Sequence, residues 1–213
     1  MSDLVVAIDG PGGAGKSTVS RLVADRLDIG HLDTGAFYRA ATQAVLEAGA
    51  DPTDSGAVVS AVENRVIDHA DGRTLLDGRD VSREIRGDEV TAAVSAVSAH
   101  PQLRERMVGD QRRWVERHGR RAVVEGRDIG TVVFPHADLK VFLDADPDVR
   151  AARRSGETGG ATAVVGEALR RRDSLDSSRS NSPLRPADDA MVIDTTDLTI
   201  GDVVEAILQH LDP

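Results

Sequence analysis

Apolar residues fall along this chain in short runs and helical stripes that alternate. Leu4 to Ile8 is an unbroken apolar run, the mark of a strand buried on both faces. Val19, Leu22, Val23 and Leu27 follow at helical spacing. Ile29 to Asp33 predicts a second short strand, and residues 35–48 a helix that stops near Gly49. Between Val66 and Val81 the alternation breaks. The pairs Asp71-Gly72 and Asp77-Gly78 separate short apolar runs there, which predicts tight hairpins and a small antiparallel insert of about three strands. Residues 88–99 read as helix, and Pro101 suits the first position of another, with Leu103, Met107, Gln111, Trp114 and Val115 as its inner stripe. Ala122 to Val124 and Leu139 to Leu143 predict central strands. Asp146-Pro147 opens a helix, Gly156 to Ala161 reads as flexible and polar, and Met191 to Ile193 is a last strand. Ile200, Val203, Val204, Ile207, Leu208 and Leu211 form an amphipathic final helix, with Thr199 as its cap and Asp202 three residues on. Strand alternating with helix predicts an α/β fold whose parallel sheet is covered on both faces.

The turn after the first strand changes this from a fold to a chemistry. Gly10-Pro11-Gly12-Gly13-Ala14-Gly15-Lys16-Ser17 fits the phosphate-cradling pattern G-x-x-x-x-G-K-[ST], followed by Thr18, and lies between a strand and a helix as that loop must. Glycines let successive backbone N–H groups point inward, and a helix N-terminus adds partial positive charge. Lys16 is placed to meet the β- and γ-phosphates and the Ser17 hydroxyl to take Mg²⁺.

Composition narrows the partners. Of 26 basic residues 24 are arginine, and the net charge of −10 argues against broad nucleic-acid binding. There is no cysteine, which excludes disulfides and thiolate metal sites. No apolar run is long enough to span a membrane, and residues 1–30 lack a signal-peptide pattern, so a cytoplasmic location is expected. Aromatic residues make up only 2 %, so the core must be built from Ala, Val, Leu and Ile.

Four clusters bear on what receives the phosphate. Asp33 to Arg39 and Glu125 to Thr131 each follow a strand, at the sheet edge where open α/β folds bind ligands. Arg127 can clamp a phosphate, Asp128 can read a ligand edge bearing N–H donors, and a structural Arg–Asp pair in a turn is the alternative. Arg150, Arg153 and Arg154 share a helix face, and Arg172, Asp176 and Arg179 repeat the idea, with the Gly-rich stretch between them as a flap whose stems carry arginines. The six histidines show no ligand spacing and receive no catalytic role. Asp9, Asp33 and Glu125 are all candidates for the acid that orients Mg²⁺ waters. These residues alone leave open a kinase for another small acceptor, or a nucleotide-dependent switch.

The set as a whole resembles the bacterial cytidylate kinase family among the nucleoside monophosphate kinases. The resemblance rests on Ile8 to Thr18, Asp33 to Arg39, Asp80 to Arg86, Gly126 to Pro135, Arg172-Asp173, Asp176, Arg179 and Ser182-Pro183-Leu184. It implies a P-loop kinase fold over 1–213, a five-stranded parallel sheet flanked by helices. It also implies a small antiparallel insert for the monophosphate (62–98) and a short lid (154–172). ATP would be held by Gly10, Pro11, Gly12, Gly13, Ala14, Gly15, Lys16, Ser17 and Thr18, with Mg²⁺ at Ser17. Thr34, Tyr38, Arg39, Ser95, Arg104, Arg127, Asp128, Arg172, Asp176 and Arg179 would take CMP or dCMP. Among these, Arg39 and Arg127 would hold its phosphate, and Ser95, Arg104 and Asp128 would face cytosine. Lys16, Arg127, Arg172 and Arg154 would neutralise charge during transfer. The activity implied is phosphorylation of CMP and dCMP by ATP, in pyrimidine metabolism, by a monomer with no membrane or nucleic-acid partner. Ser174, Leu175, Ser177 and Ser178 stand where the family pattern carries further charge.

Overall fold

The computed structural model describes residues 2–70, 72–179 and 182–211. Its backbone groups into two compact units, one of residues 1–32 and 119–213, the other of residues 33–118.

In the first unit, β1 (Leu4–Asp9) is followed by the phosphate loop and α1 (Lys16–Leu27), then β2 (Gly30–Asp33). After residue 118 come β6 (Arg121–Gly126), β7 (Leu139–Asp144) and β8 (Met191–Asp194). These five strands form one sheet in the order β2-β6-β1-β7-β8, and the β1–β6, β1–β7 and β7–β8 ladders are parallel. Helices α6 (Pro147–Thr158), α7 (Thr162–Ser177) and α8 (Ile200–Leu211) complete the unit. With few aromatics available, branched aliphatics fill the core: Val6, Ile8, Val19, Val23, Val123, Val141, Leu143, Val203, Val204 and Ile207 pack as one cluster. Each such side chain contributes about 1.5–3 kcal/mol by leaving water. The cap of α8 forms as expected, with Thr199 N–H donating to Asp202 at 3.0 Å and Asp202 N–H to Thr199 Oγ1 at 3.2 Å.

The second unit runs α2 (Thr34–Glu47), α3 (Ser55–Val62), the antiparallel sheet β3 (Ile67–Ala70), β4 (Arg73–Leu76) and β5 (Arg79–Asp80), then α4 (Asp88–Val97) and α5 (Pro101–Arg117). The three-stranded insert is therefore present. Asp77 and Gly78 both take positive φ (52° and 78°), the turn an Asp-Gly pair favours. Asp71 of the other pair lies outside the described residues. The stripe on α5 is buried as expected, and Trp114 donates its indole N–H to the His69 carbonyl at 2.7 Å and stacks on His118 at 3.7 Å between ring centroids.

Three details depart from the sequence reading. Helix α3 was not foreseen, although Asp54 caps it by accepting from Ala57 N–H at 2.9 Å. The stretch Gly156 to Ala161 is less irregular than its glycines suggest, because α6 continues through Thr158 and only residues 159–161 separate it from α7. Gly159 ends α6 in the left-handed region (φ 74°), and an Arg154–Glu157 ion pair at 2.8 Å supports the last turn. Residues 129–133 form a single π-turn after β6.

Candidate active site

The β1–β6 register puts Ile8 beside Glu125 and Asp9 beside Gly126, so the phosphate loop and the segment Glu125 to Asp128 leave the sheet at one edge. The loop is pinned where it turns. A Cβ on Gly10 would lie 2.0 Å from the Leu143 carbonyl oxygen, and one on Gly13, at φ +79°, 2.7 Å from that of Arg150. Only glycine fits either place. Gly15 starts α1 with no side-chain cap on the helix, which leaves the first amides of α1 to an anion.

Lys16 donates to the Pro11 carbonyl at 2.8 Å, back within its own loop. Burial, helped by the positive charge of Arg127, lowers its pKa to about 8. Ser17 Oγ donates to Glu125 Oε2 at 2.8 Å. Glu125 is buried, and burial pushes its carboxyl up. The hydrogen bond from His31, the charges of His31 and Lys16 and the Ser17 hydroxyl outweigh that, so the net shift is downward.

Two of the three candidate acids are spent elsewhere. Asp9 accepts from the backbone N–H groups of Ile129 and Gly130, both at 2.8 Å, and so holds the π-turn. Burial still wins over those two bonds and raises its pKa to about 6. Asp33 caps α2 by accepting from Ala36 N–H at 3.1 Å. Glu125 is the acid that reaches the loop serine.

A second layer of charge lies over the loop. Arg127 meets Asp173 at 3.1 Å and Asp176 at 3.2 Å. Arg150 pairs with Asp173 and donates to the Gly12 carbonyl at 3.2 Å. Asp176 also gathers Arg179 at 2.6 Å and Arg172 at 3.8 Å. Arg127, Arg172, Asp176 and Arg179 are thus brought together, and Asp128, next to Arg127 in the chain, is buried. Arg150, singled out by its helical spacing, joins this cluster, and so does Asp173, to which that spacing gave no role. On the helix that carries Arg150, Arg153 and Arg154, Arg150 reaches the loop, Arg153 donates to the Thr195 carbonyl at 2.7 Å and Arg154 pairs with Glu157.

In the second unit, Arg39 donates to the Ile85 carbonyl at 3.1 Å and to Thr91 Oγ1 at 2.9 Å. The Arg104 guanidinium lies 5.2 Å from the Tyr38 ring centroid and donates to the Ser98 carbonyl at 3.2 Å. Thr34 is buried in the first turn of α2, and Ser95 is half-buried on α4.

The family model described as cytidylate kinase matches residues 6–212. The chain belongs to the cytidylate kinase family. It is 51 % identical to the cytidylate kinase of Rhodococcus jostii (strain RHA1), across 97 % of this chain and 94 % of that one. It is 53 % identical to that of Mycobacterium avium (strain 104), across 96 % and 93 % of the two chains, and 49 % identical to that of Corynebacterium glutamicum, across 98 % and 94 %. Among solved structures, the shikimate kinase of Bacteroides thetaiotaomicron covers all of both chains at TM-score 0.50 and 12 % identity, which speaks to the P-loop kinase fold alone. As a member of the cytidylate kinase family the chain is a nucleoside monophosphate kinase, a phosphotransferase.

Among the described residues, no group of three or more His, Cys, Asp or Glu side chains is arranged to hold a metal ion by itself. A hydroxyl aligned by a buried carboxylate fits magnesium, which keeps several waters and takes one or two protein ligands beside nucleotide phosphates.

Proposed function

We propose that the protein transfers the γ-phosphoryl group of ATP to CMP and dCMP, releasing ADP and CDP or dCDP. What carries this reading is the hydrogen bond from the phosphate-loop serine to Glu125, two residues before Arg127, in a chain of the cytidylate kinase family.

Residues 10–18 cradle the triphosphate, with the main-chain N–H groups after Pro11 donating to it. An oxygen of the acceptor phosphate forms the new bond to the γ-phosphorus while the bond to the bridging oxygen of ADP breaks, in line and without a covalent enzyme intermediate. Lys16 would follow the β- and γ-oxygens, with Arg127, Arg172 and Arg154 adding positive charge as negative charge spreads. Ser17, aligned by Glu125, would hold magnesium, which would supply positive charge to offset that of the triphosphate.

Arg39 and Arg127 take the phosphate of the acceptor. Arg127 now grips the carboxylates of Asp173 and Asp176, and a phosphate offers its fork the same class of anionic acceptor. Thr34 and Tyr38 line the acceptor. Arg172, Asp176 and Arg179 reach its sugar and phosphate. Ser95, Arg104 and Asp128 read the base. Cytosine presents an N4 amine to a carboxylate, whereas uracil presents an oxygen that Asp128 repels. Residues 154–172 act as the lid and residues 62–98 as the monophosphate-binding insert of one catalytic domain. The enzyme works as a monomer in the cytoplasm on free nucleotides.

A panel of CMP, dCMP, UMP, AMP and shikimate in a coupled ADP-release assay tests this. CMP and dCMP are turned over far faster than the rest, and Asp128→Ala narrows the CMP-to-UMP ratio of kcat/KM by about tenfold or more. Equal turnover of UMP, or ADP release that no acceptor stimulates, contradicts the assignment.

A further inference from the structure

His31, the second residue of β2, has no part in the roles above. Its Nε2 lies 3.1 Å from Glu125 Oε1 and 3.0 Å from Ser20 Oγ on α1. The side chains of His31 and Glu125 are 13 % and 3 % exposed, so water competes little for this contact. Glu125 therefore divides its two oxygens, Oε1 toward His31 and Oε2 toward the Ser17 hydroxyl at 2.8 Å. The last torsion of a glutamate is broad and two-fold, so a carboxylate tied at one oxygen alone can swing. Tying the other oxygen fixes its plane. An ionised carboxylate only accepts hydrogen bonds, so the shared ring nitrogen carries the proton and donates it, with Ser20 Oγ as the second acceptor.

We propose that His31 is a positioning residue for the magnesium site. By anchoring Glu125 it directs the Ser17 proton toward Oε2 and turns the Ser17 lone pairs toward a cation on the nucleotide phosphates. The proposal rests on the reading of the loop as a magnesium–nucleotide site. Outer partners of this kind typically change metal affinity by about 10–100-fold.

Calorimetric titration with β,γ-imido ATP, once with Mg²⁺ and once with EDTA, tests it in the wild type, His31→Ala and His31→Gln. In the wild type, Mg²⁺ strengthens binding. His31→Ala loses about tenfold or more of that gain, while affinity in EDTA stays within about twofold. His31→Gln, whose side-chain amide can donate in place of the ring nitrogen, restores most of it. The Mg²⁺ concentration for half-maximal turnover moves in the same order. If His31→Ala is not folded by circular dichroism, His31→Phe keeps the ring volume without the N–H and takes its place. Equal losses with and without Mg²⁺ mean a merely structural histidine, and a magnesium gain that survives the loss of the N–H means the same; either result overturns the relay. A wild type that binds the analogue in EDTA but gains nothing from Mg²⁺ overturns the relay while sparing the nucleotide reading. No binding at all in the wild type removes both.

Discussion

Asp176 and Glu47 each gather arginines around one carboxylate, Asp176 with Arg127, Arg172 and Arg179, Glu47 with Arg65 and Arg79. Their surroundings differ. The Asp176 side chain is 3 % exposed, whereas Glu47 is 30 % and its partner Arg79 51 % exposed. Water screens the second carboxylate and barely reaches the first. Charges held without water are costly to leave unpaired and strong toward a charged ligand, so the buried group suits phosphate chemistry. The exposed one does little beyond joining α2 to the β3–β4–β5 hairpins.

The comparison is broken most severely at the buried end. Lys16→Met is expected to lower kcat by about 10²–10³-fold with an unchanged far-ultraviolet spectrum. Near-normal turnover would remove the loop from the chemistry. Asp176→Ala removes the buried carboxylate that three half-buried arginines share and is expected to cost about 3 kcal/mol in denaturant unfolding. A loss below about 1 kcal/mol would put Asp176 in the same class as exposed pairs.

Next comes a pH effect. The ammonium form of Lys16 binds phosphate, and its pKa in the free protein is about 8. Proton loss as pH rises through that value weakens the site, so the Kd for ATP rises by up to about tenfold per pH unit above pH 8. The Lys16→Met variant shows no such rise between pH 7 and 9. The smallest effect belongs to Glu47. Its hydrogen bond from Arg65 holds its pKa below the usual value, so its contribution is present above about pH 4.5 and fades as acid protonates it. Glu47→Ala is expected to cost less than about 1 kcal/mol, read by the same unfolding assay, with kcat/KM unchanged.

Much of this was legible from residue order because local rules fix it. The glycine loop, the Asp77-Gly78 turn and the Thr199–Asp202 cap each depend on neighbours within a few positions. What escaped was set by contacts distant in sequence. Asp9 caps a π-turn 120 positions away, and no period in the sequence announces it. His31 looked idle because its partner Glu125 is 94 positions on and reaches it only through sheet pairing. Arg150, Arg153 and Arg154 share a helical face, but acceptors elsewhere in the fold decide where each guanidinium ends. The Gly-rich stretch misled in the other direction, since one glycine inside a helix costs only about 1 kcal/mol and flanking turns can absorb it.

Trp114, whose indole is tied to His69 and stacked on His118, is the chain's one tryptophan, and Tyr38 its one tyrosine. Both belong to the stretch 33–118. Intrinsic emission is therefore a private channel from that half of the molecule, in which melting of the nucleotide-gripping half by itself would pass optically unseen.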